Sequence, residues 1–321
     1  MIASLGVEYT LEEGFHVHIG ASAGIVIAPT NGKEAVELLQ YADAALYRAK
    51  SEGRGRFCYY TDALTHAARK RVECEIQLRR AIENEEFEVY YQPQVHIATG
   101  RIIGAEALVR WNDPIRGIIV PAFFIPLAEE TGLIGKIGEW VLNETCRQGK
   151  IWLDNGHRLT LAVNVSPHQI RHQNIPKMVN DALKKSGFNP YLLELELTES
   201  ALMQREEETL LMLHTLRAYG VRLAIDDFGT GYSSFSYLKR FPIDVLKIDK
   251  TFIDDIPIEP NDMAITSAII TMGLALGFQV LAEGTESIEQ IEFLREKGCT
   301  MYQGYYKSPP VPAAEFEKLL S

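Results

Sequence analysis

Two adjacent carboxylates, Asp226 and Asp227, close the apolar run "RLAIDDF" (222–228) and lead into the glycine-punctuated "GTGYSSF" (229–235). Neighbouring like charges repel and weaken the strand that carries them. Three kinds of local chemistry fit such a stretch: a solvated turn, a glycine loop cradling phosphate, or a metal site. The glycine loop lacks the lysine that a P-loop needs.

The pair is not isolated. Other apolar runs carry Glu106 and Arg110 ("RIIGAEALVRW", 101–111), Asn164 ("LTLAVNVS", 159–166), and Glu196 with Glu199 ("LLELELTES", 192–200). Further along come Lys247 ("DVLKIDK", 244–250), Glu283 ("FQVLAEGT", 278–285) and Gln303 ("TMYQGYY", 300–306). One acidic residue at the end of a run reads as a helix cap or a solvated turn. Several converging on one place repel strongly unless cations neutralise them.

Carboxylate and amide oxygens, with no cysteine or histidine among them, suit Mg²⁺ or Mn²⁺ rather than zinc. Two such cations about 3.5–4 Å apart, bridged by one carboxylate, would clamp a phosphodiester, polarise the attacking water and stabilise the leaving oxygen. Lys247, set in "VLKID", is expected at the mouth of the site as a compact positive charge orienting that water. "DFG" (227–229) resembles the kinase metal motif, but no glycine-rich loop or H-R-D segment accompanies it. The eight histidines form no metal-ligand spacing.

These runs must be strands held side by side. With "FEVYYQPQ" (87–94) they make eight, interleaved mostly with helical segments such as "EEETLLMLHTLRAYG" (206–220) and "SIEQIEFLREKG" (287–298). That rhythm predicts a TIM-like (β/α)8 barrel, whose catalytic groups project from the C-terminal strand ends. "VHIATG" between the first two strands is too short for a crossover helix, so that pair should be antiparallel. A doubly wound open sheet is the runner-up, disfavoured because no G-x-G-x-x-G follows an early strand.

The first 60 residues read as a short helical piece, a strand (16–28), a helix (32–50) and a final strand (55–60). The helix sets Val36, Leu38, Leu39, Ala42, Leu46 and Ala49 near one face. So few elements cannot bury a stable core by themselves, which marks a truncated α/β segment or an appendage. Residues 62–84 form a charged helical connector, read as a solvated helix with one apolar stripe rather than a nucleic-acid patch.

Composition is that of a globular protein: 321 residues, 46% hydrophobic and 23% charged. The net charge of −11 disfavours binding to polymeric nucleic acid, although bound divalent cations can still draw a small anionic substrate into an acidic pocket. Four scattered cysteines with no C-x-x-C pair point to free thiols in a reducing cytosol. No export signal or spanning segment is visible, so a cytoplasmic location, as such or as the cytoplasmic part of a longer membrane-anchored protein, is expected.

In this order, "YYQP", "EALVR", "NVS", "ELTES", "IDDFGTGYSS", "LKID", "AEGTE" and "QGYYKSP" resemble an EAL-type cyclic-di-GMP phosphodiesterase over residues 75–321. The resemblance implies a TIM-like barrel that hydrolyses cyclic di-GMP to linear pGpG with Mg²⁺ or Mn²⁺. It matches Glu106, Asn164, Glu196 and Asp226 to one metal's ligands. Asp226, Asp227 and Glu283 match the second metal's environment, which makes Asp226 the bridge. Lys247 matches a lysine that orients the catalytic water, and Gln303 a glutamine supporting the water and phosphate region. Gln92, Leu108 and Arg110 match substrate contacts; Glu199 and the loop after Asp227 match a segment linking metal binding to dimerisation. The family often has Asp where Thr300 stands and a basic residue where Pro309 stands, which bears on substrate affinity or loop packing.

"ASAGIVIA" and "ADAALYRAKSEGRGRF" resemble the C-terminal part of a GGDEF diguanylate cyclase domain, with Lys50 and Arg54 matching triphosphate contacts. The GG(D/E)EF segment is absent from these residues, so no cyclase activity is expected of them. The expected division is therefore 1–60 GGDEF fragment, 61–74 helical linker and 75–321 EAL domain, as in a piece of a longer GGDEF–EAL protein. The expected function is hydrolysis of cyclic di-GMP by a homodimer. The competing reading is a catalytically weak cyclic-di-GMP receptor that signals to a partner. Because every matched core position is present, the enzyme is the stronger reading.

Overall fold

A computed structural model of the chain describes residues 2–6, 8–10, 15–51, 53–202, 206–230, 238 and 240–320. The chain divides into two compact units, Met1–Gln77 and Leu78–Ser321.

The first unit begins with α1 (Ile2–Leu5), and β1 (Glu8–Thr10) pairs antiparallel with β2 (His16–His18). Then β3 (Ala23–Ile25), α2 (Ala35–Ser51) and β4 (Phe57–Tyr59) follow, with β3 and β4 parallel. The single strand expected over 16–28 is thus two short strands in separate sheets. "IGAS" (19–22) interrupts it, since a glycine weakens a strand interior. The helix forms, but its expected apolar face is only partly used. Ala45 and Ala49 are fully buried, whereas Val36 and Leu39 are 71% and 67% exposed. Gly24 explains which side is buried: a Cβ there would run into the main chain of Ala42 and Leu46, so helix and strand meet backbone to backbone. A pair of three-residue strands cannot cover the other flank of a 17-residue helix.

Helix α3 (Asp62–Glu83) forms over the stretch 62–84 expected to be a charged helical connector.

The second unit carries the barrel strands β5 (Phe87–His96) and β6 (Ile102–Asp113), the short hairpin strand β7 (Gly117–Ile119), and β8 (Thr160–Val165). The others are β9 (Leu193–Thr198), β10 (Arg222–Phe228), β11 (Val245–Ile248), β12 (Gln279–Ala282) and β13 (Met301–Gln303). Pairing runs β5–β13–β12–β11–β10–β9–β8–β6 and closes through β5–β6. The expected eight-stranded barrel is therefore present. The β5–β6 pair is antiparallel, as its short connection requires, and β5 is also antiparallel to β13. The pairs β6–β8, β8–β9, β9–β10, β10–β11, β11–β12 and β12–β13 are parallel, while β7 is antiparallel to β6.

Helices packed around the strands include α4 (Ile125–Glu130), α5 (Ile134–Asp154), α6 (Pro167–His172), α7 (Ile175–Ser186), α8 (Glu199–Leu202) and α9 (Glu206–Ala218). After them come α10 (Pro260–Ala275), α11 (Ile288–Glu296) and, behind the last short strand β14 (Val311–Pro312), α12 (Ala313–Lys318). β14 pairs with Tyr90 and Tyr91 of β5, a stretch of that strand that the three-residue β13 does not reach. Among the described residues, no helix is long and apolar enough to cross a membrane.

Successive strand residues face opposite sides of a sheet, so positions two apart share a face. One apolar layer of the barrel interior is Ala224, Val245, Leu281 and Met301, packed together and buried. Two residues further along the same four strands stand Asp226, Lys247, Glu283 and Gln303. The barrel thus carries an apolar plug with a polar layer directly above it.

Candidate active site

That polar layer lies toward the C-terminal ends of the parallel strands. Lys247 of β11 is at its centre and wholly buried, not at the mouth as the sequence reading expects. Its ammonium stands 2.8 Å from Glu196 Oε2, 2.8 Å from Glu283 Oε1, 3.0 Å from Asp226 Oδ1 and 3.5 Å from Glu106 Oε2. Four carboxylates from four strands or strand ends therefore surround one cation.

Amides complete the ring. Asn164 Nδ2 donates to Glu106 Oε1 at 2.6 Å. Gln303 Nε2 donates to Glu106 Oε2 at 2.5 Å and to Gln92 Oε1 at 3.1 Å. Glu106 and Gln92 are directly opposed across β5 and β6, which places the last amide.

Burial and charge push these groups in different directions. Burial raises the Glu106 carboxyl, but Lys247 and the bonds from Gln303 and Asn164 outweigh it and hold the group below its ordinary range. Glu196 goes well above that range, from burial first and then the charge on Glu106. Burial lifts Glu283 to about 8 against the pull of Lys247, with Asp226 and Glu106 adding to the rise. Burial favours a neutral Lys247, yet Asp226, Glu106, Glu196 and Glu283 reverse this and keep it charged.

The adjacent aspartates resolve through backbone geometry. On a regular strand Asp226 and Asp227 would face opposite sides. Between Ile225 and Phe228 the register of β10 against β11 shifts, and Asp227 takes a left-handed φ of 53°. This bulge re-aims the second side chain. Carboxylate oxygens of Asp226, Asp227 and Glu283 then lie within 4.8 Å of one another. Burial, followed by Asp226 and Asp249, lifts Asp227 to about 6.

Glu199 lies just beyond β9, at the start of α8 and buried, where its Oε2 accepts from Gly229 N at 3.1 Å. The loop after Asp227, singled out for dimerisation, is described only at Gly229 and Thr230; residues 231–237 lie outside the described residues. Leu108 and Asn164 line a cavity of 380 Å³ with Pro121, Ile125 and Thr198. Arg110 lies with its guanidinium carbon 5.3 Å from the Tyr90 ring centroid. Thr300 bonds the main chain of Val280 at the N-terminal end of β13, on the far side of that strand from Gln303, so its tie is to the barrel frame.

Two contributors escaped the sequence reading. Asp249 adds to the field at Asp227, and the Ser308 carbonyl accepts from Gln92 Nε2 at 3.4 Å. The spacing of Asp249 two residues after Lys247 was the available signal; a main-chain acceptor leaves none.

The donor set is made of hard oxygens, and Glu196 Oε1 has no hydrogen-bond partner among the described residues, while Oε2 faces the Lys247 ammonium. One ammonium offsets only part of the surrounding negative charge. The residues present therefore fit a hard divalent cation.

The fold and site define a TIM-like barrel protein with an acidic, lysine-centred cluster at the strand ends. A family model described as the EAL domain matches residues 75–310, and one described as the diguanylate cyclase GGDEF domain matches residues 6–56. The chain belongs to the EAL domain family.

Among curated relatives, the signaling protein YkoW of Bacillus subtilis is 44% identical over 299 residues, covering 93% of this chain and 37% of its own length. The bifunctional diguanylate cyclase/cyclic di-GMP phosphodiesterase MucR of Pseudomonas aeruginosa is 44% identical over 300 residues, covering 93% and 44%. A solved structure of the PaMucR phosphodiesterase in complex with c-di-GMP is 45% identical, with a TM-score of 0.74, and covers 76% of this chain and 99% of that one. The chain thus spans less than half the length of these two curated relatives.

Proposed function

We propose that the chain hydrolyses cyclic di-GMP to linear pGpG at the acidic end of its barrel, using two divalent cations, Mg²⁺ or Mn²⁺. The observation that carries this reading is the ring of Glu106, Glu196, Asp226 and Glu283 around Lys247, beside the close Asp226–Asp227–Glu283 group. The PaMucR structure with c-di-GMP supports the choice of substrate.

Glu106, Asn164, Glu196 and Asp226 would hold one cation, and Asp226, Asp227 and Glu283 the other. When bound, such a pair supplies Lewis-acid polarisation of the phosphodiester and activation of water. Lys247 orients the attacking water and balances charge among the carboxylates. Gln303 steadies Glu106 and the water and phosphate region through its two N–H bonds. Gln92, Leu108 and Arg110 hold the substrate, Arg110 as a fixed cation for phosphate. Glu199, through Gly229, ties the end of β10 to α8, and the loop that follows would carry the contact of a homodimer. Residues 1–60 are read as the C-terminal part of a GGDEF domain, 61–74 as a linker and 75–321 as the EAL domain.

Incubating the purified chain with cyclic di-GMP and Mg²⁺ or Mn²⁺, and resolving products by chromatography, tests this. Linear pGpG from the wild type and none from Glu106→Ala is expected. Intact substrate across metals and concentrations would reject the enzyme and favour the receptor reading.

A further inference from the structure

The layer below the site is apolar or small at Ala162, Ala224, Val245, Leu281 and Met301. Two polar residues interrupt it, each two positions from a site residue on its strand: Glu194 beside Glu196, and Gln94 beside Gln92. Glu194 has a partner, since its Oε2 accepts from Arg222 Nε at 3.0 Å. Gln94 is 3% exposed, and its Nε2 has no hydrogen-bond partner among the described residues. A Cβ built on Gly104 would lie 2.9 Å from Gln94 Oε1. The amide oxygen therefore rests against β6, and the nitrogen points the other way.

A complementary orphan belongs to the residue opposed to it. Gln303 uses Nε2 for both of its bonds, to Gln92 and Glu106, and its buried Oε1 has no partner among the described residues. Gln94 and Gln303 are directly opposed partners in the β5–β13 pair. Opposed side chains share a face, with Cβ atoms roughly 4.5–5.5 Å apart. One orphan is a donor and the other an acceptor, and leaving either buried and unpaired forfeits its hydration. A single water between them would satisfy both, and buried waters usually bridge otherwise unpaired polar groups.

We propose that a buried water accepts from Gln94 Nε2 and donates to Gln303 Oε1, making Gln94 a positioning residue for the Gln303 amide. The bridge fixes which way that amide faces. Reversed, Gln303 would set its oxygen against the Glu106 carboxylate and the Gln92 oxygen, three acceptors with no proton among them. Gln94 thereby acts on Glu106 through the Gln303 amide.

The kinetic part of the test rests on the proposed hydrolysis; the crystallographic part does not. A high-resolution crystal structure of the unaltered chain should show an ordered water within hydrogen-bond distance of both atoms, and its absence overturns the inference. In Gln94→Leu, close in volume but without the donor, the Gln303–Glu106 contact should be lost. Turnover kcat should fall about tenfold with KM little changed, the scale typical of removing an outer-shell partner. A variant that keeps both that contact and wild-type kcat overturns the positioning role. Gln94→Met is the replacement should Gln94→Leu not fold. An inactive wild type would reject the proposed function, and the water would still be decided by the electron density.

Discussion

The ammonium of Lys247 lies 2.8 Å from Glu196 Oε2, and both side chains are completely buried. The cluster thus carries a built-in cation before any ion binds. Yet Glu106, Asp226 and Glu283 also face this one ammonium, so negative charge remains in excess. A site of this kind holds its shape through Lys247 and draws further positive charge from solution.

Replacing Lys247 with Met keeps the stem and removes the charge. Breaking a buried ion pair by deleting one partner costs about 3–5 kcal/mol, because the other charges stay behind unpaired. Lys247→Met should therefore melt well below wild type without divalent ions, recover part of the loss with Mn²⁺, and lose turnover. Calorimetry with and without the metal reads all but the last. An unchanged melting temperature in metal-free buffer would show that the lysine does not neutralise this ring.

Asp227 combines a carboxylate with a left-handed backbone, and the two roles separate by substitution. Asn tolerates that conformation, whereas a residue such as Ala pays roughly 1–2 kcal/mol for it. Asp227→Asn should keep near wild-type stability and still lose two or more orders of magnitude in turnover, on the scale of roughly 10²–10³ for one electrostatic group. Asp227→Ala should lose both. Denaturant titration beside steady-state kinetics distinguishes them, and full activity in Asp227→Asn would make the pair structural.

Gly304 follows Gln303 at the end of β13, where a Cβ would run into the main-chain nitrogen and oxygen of Thr285. Neither strand end can retreat without moving Gln303 or Glu283. Gly304→Ala should destabilise the barrel by about 3 kcal/mol, at the upper end of ordinary single substitutions. A thermal melt within a degree of wild type would show slack at this junction.

Asp113 gives the chain a defined acid sensitivity. Hydrogen bonds from the Arg116 side chain, then from the Arg116 main chain, lower its carboxyl from 3.8 to about 2. A lowered folded-state value means stabilisation that is complete above the unfolded value and lost as pH falls toward 2. With Arg116 half exposed, the contribution is on the order of 1 kcal/mol after solvent screening. The stability gap between wild type and Asp113→Asn, from urea titrations, should be constant near neutrality and close between pH 4 and 2. A gap that persists at the acid end would assign the effect to shape rather than charge.

Much of the barrel could be read directly. Apolar runs of strand length, the short "VHIATG" connection and the alternation with helices lead to the observed strand order and to the antiparallel β5–β6 pair. The first unit was read less well. A run such as "HVHIGASAGIVIA" has strand composition throughout, but it breaks at residues 19–22, around Gly20, and is divided between two sheets. Likewise the apolar spacing of α2 marks the residues able to be buried, while only the strands actually present decide that Ala45 and Ala49 are buried and Val36 is not.

For the site, the sequence by itself determined which carboxylates, amides and lysine stand on which strands, because a period of two assigns each residue to a face. Tertiary structure decided the rest. Barrel closure brings Glu106 to Gln303 across 197 positions of chain and sets Lys247 at the centre rather than at the mouth. A bulge turns Asp227 toward Asp226 and Glu283, and the β5–β13 register puts Gln94 directly across from Gln303. Local patterns carry the direction of a side chain from its strand. Its distance to groups on other strands depends on stagger and closure, which belong to the whole barrel.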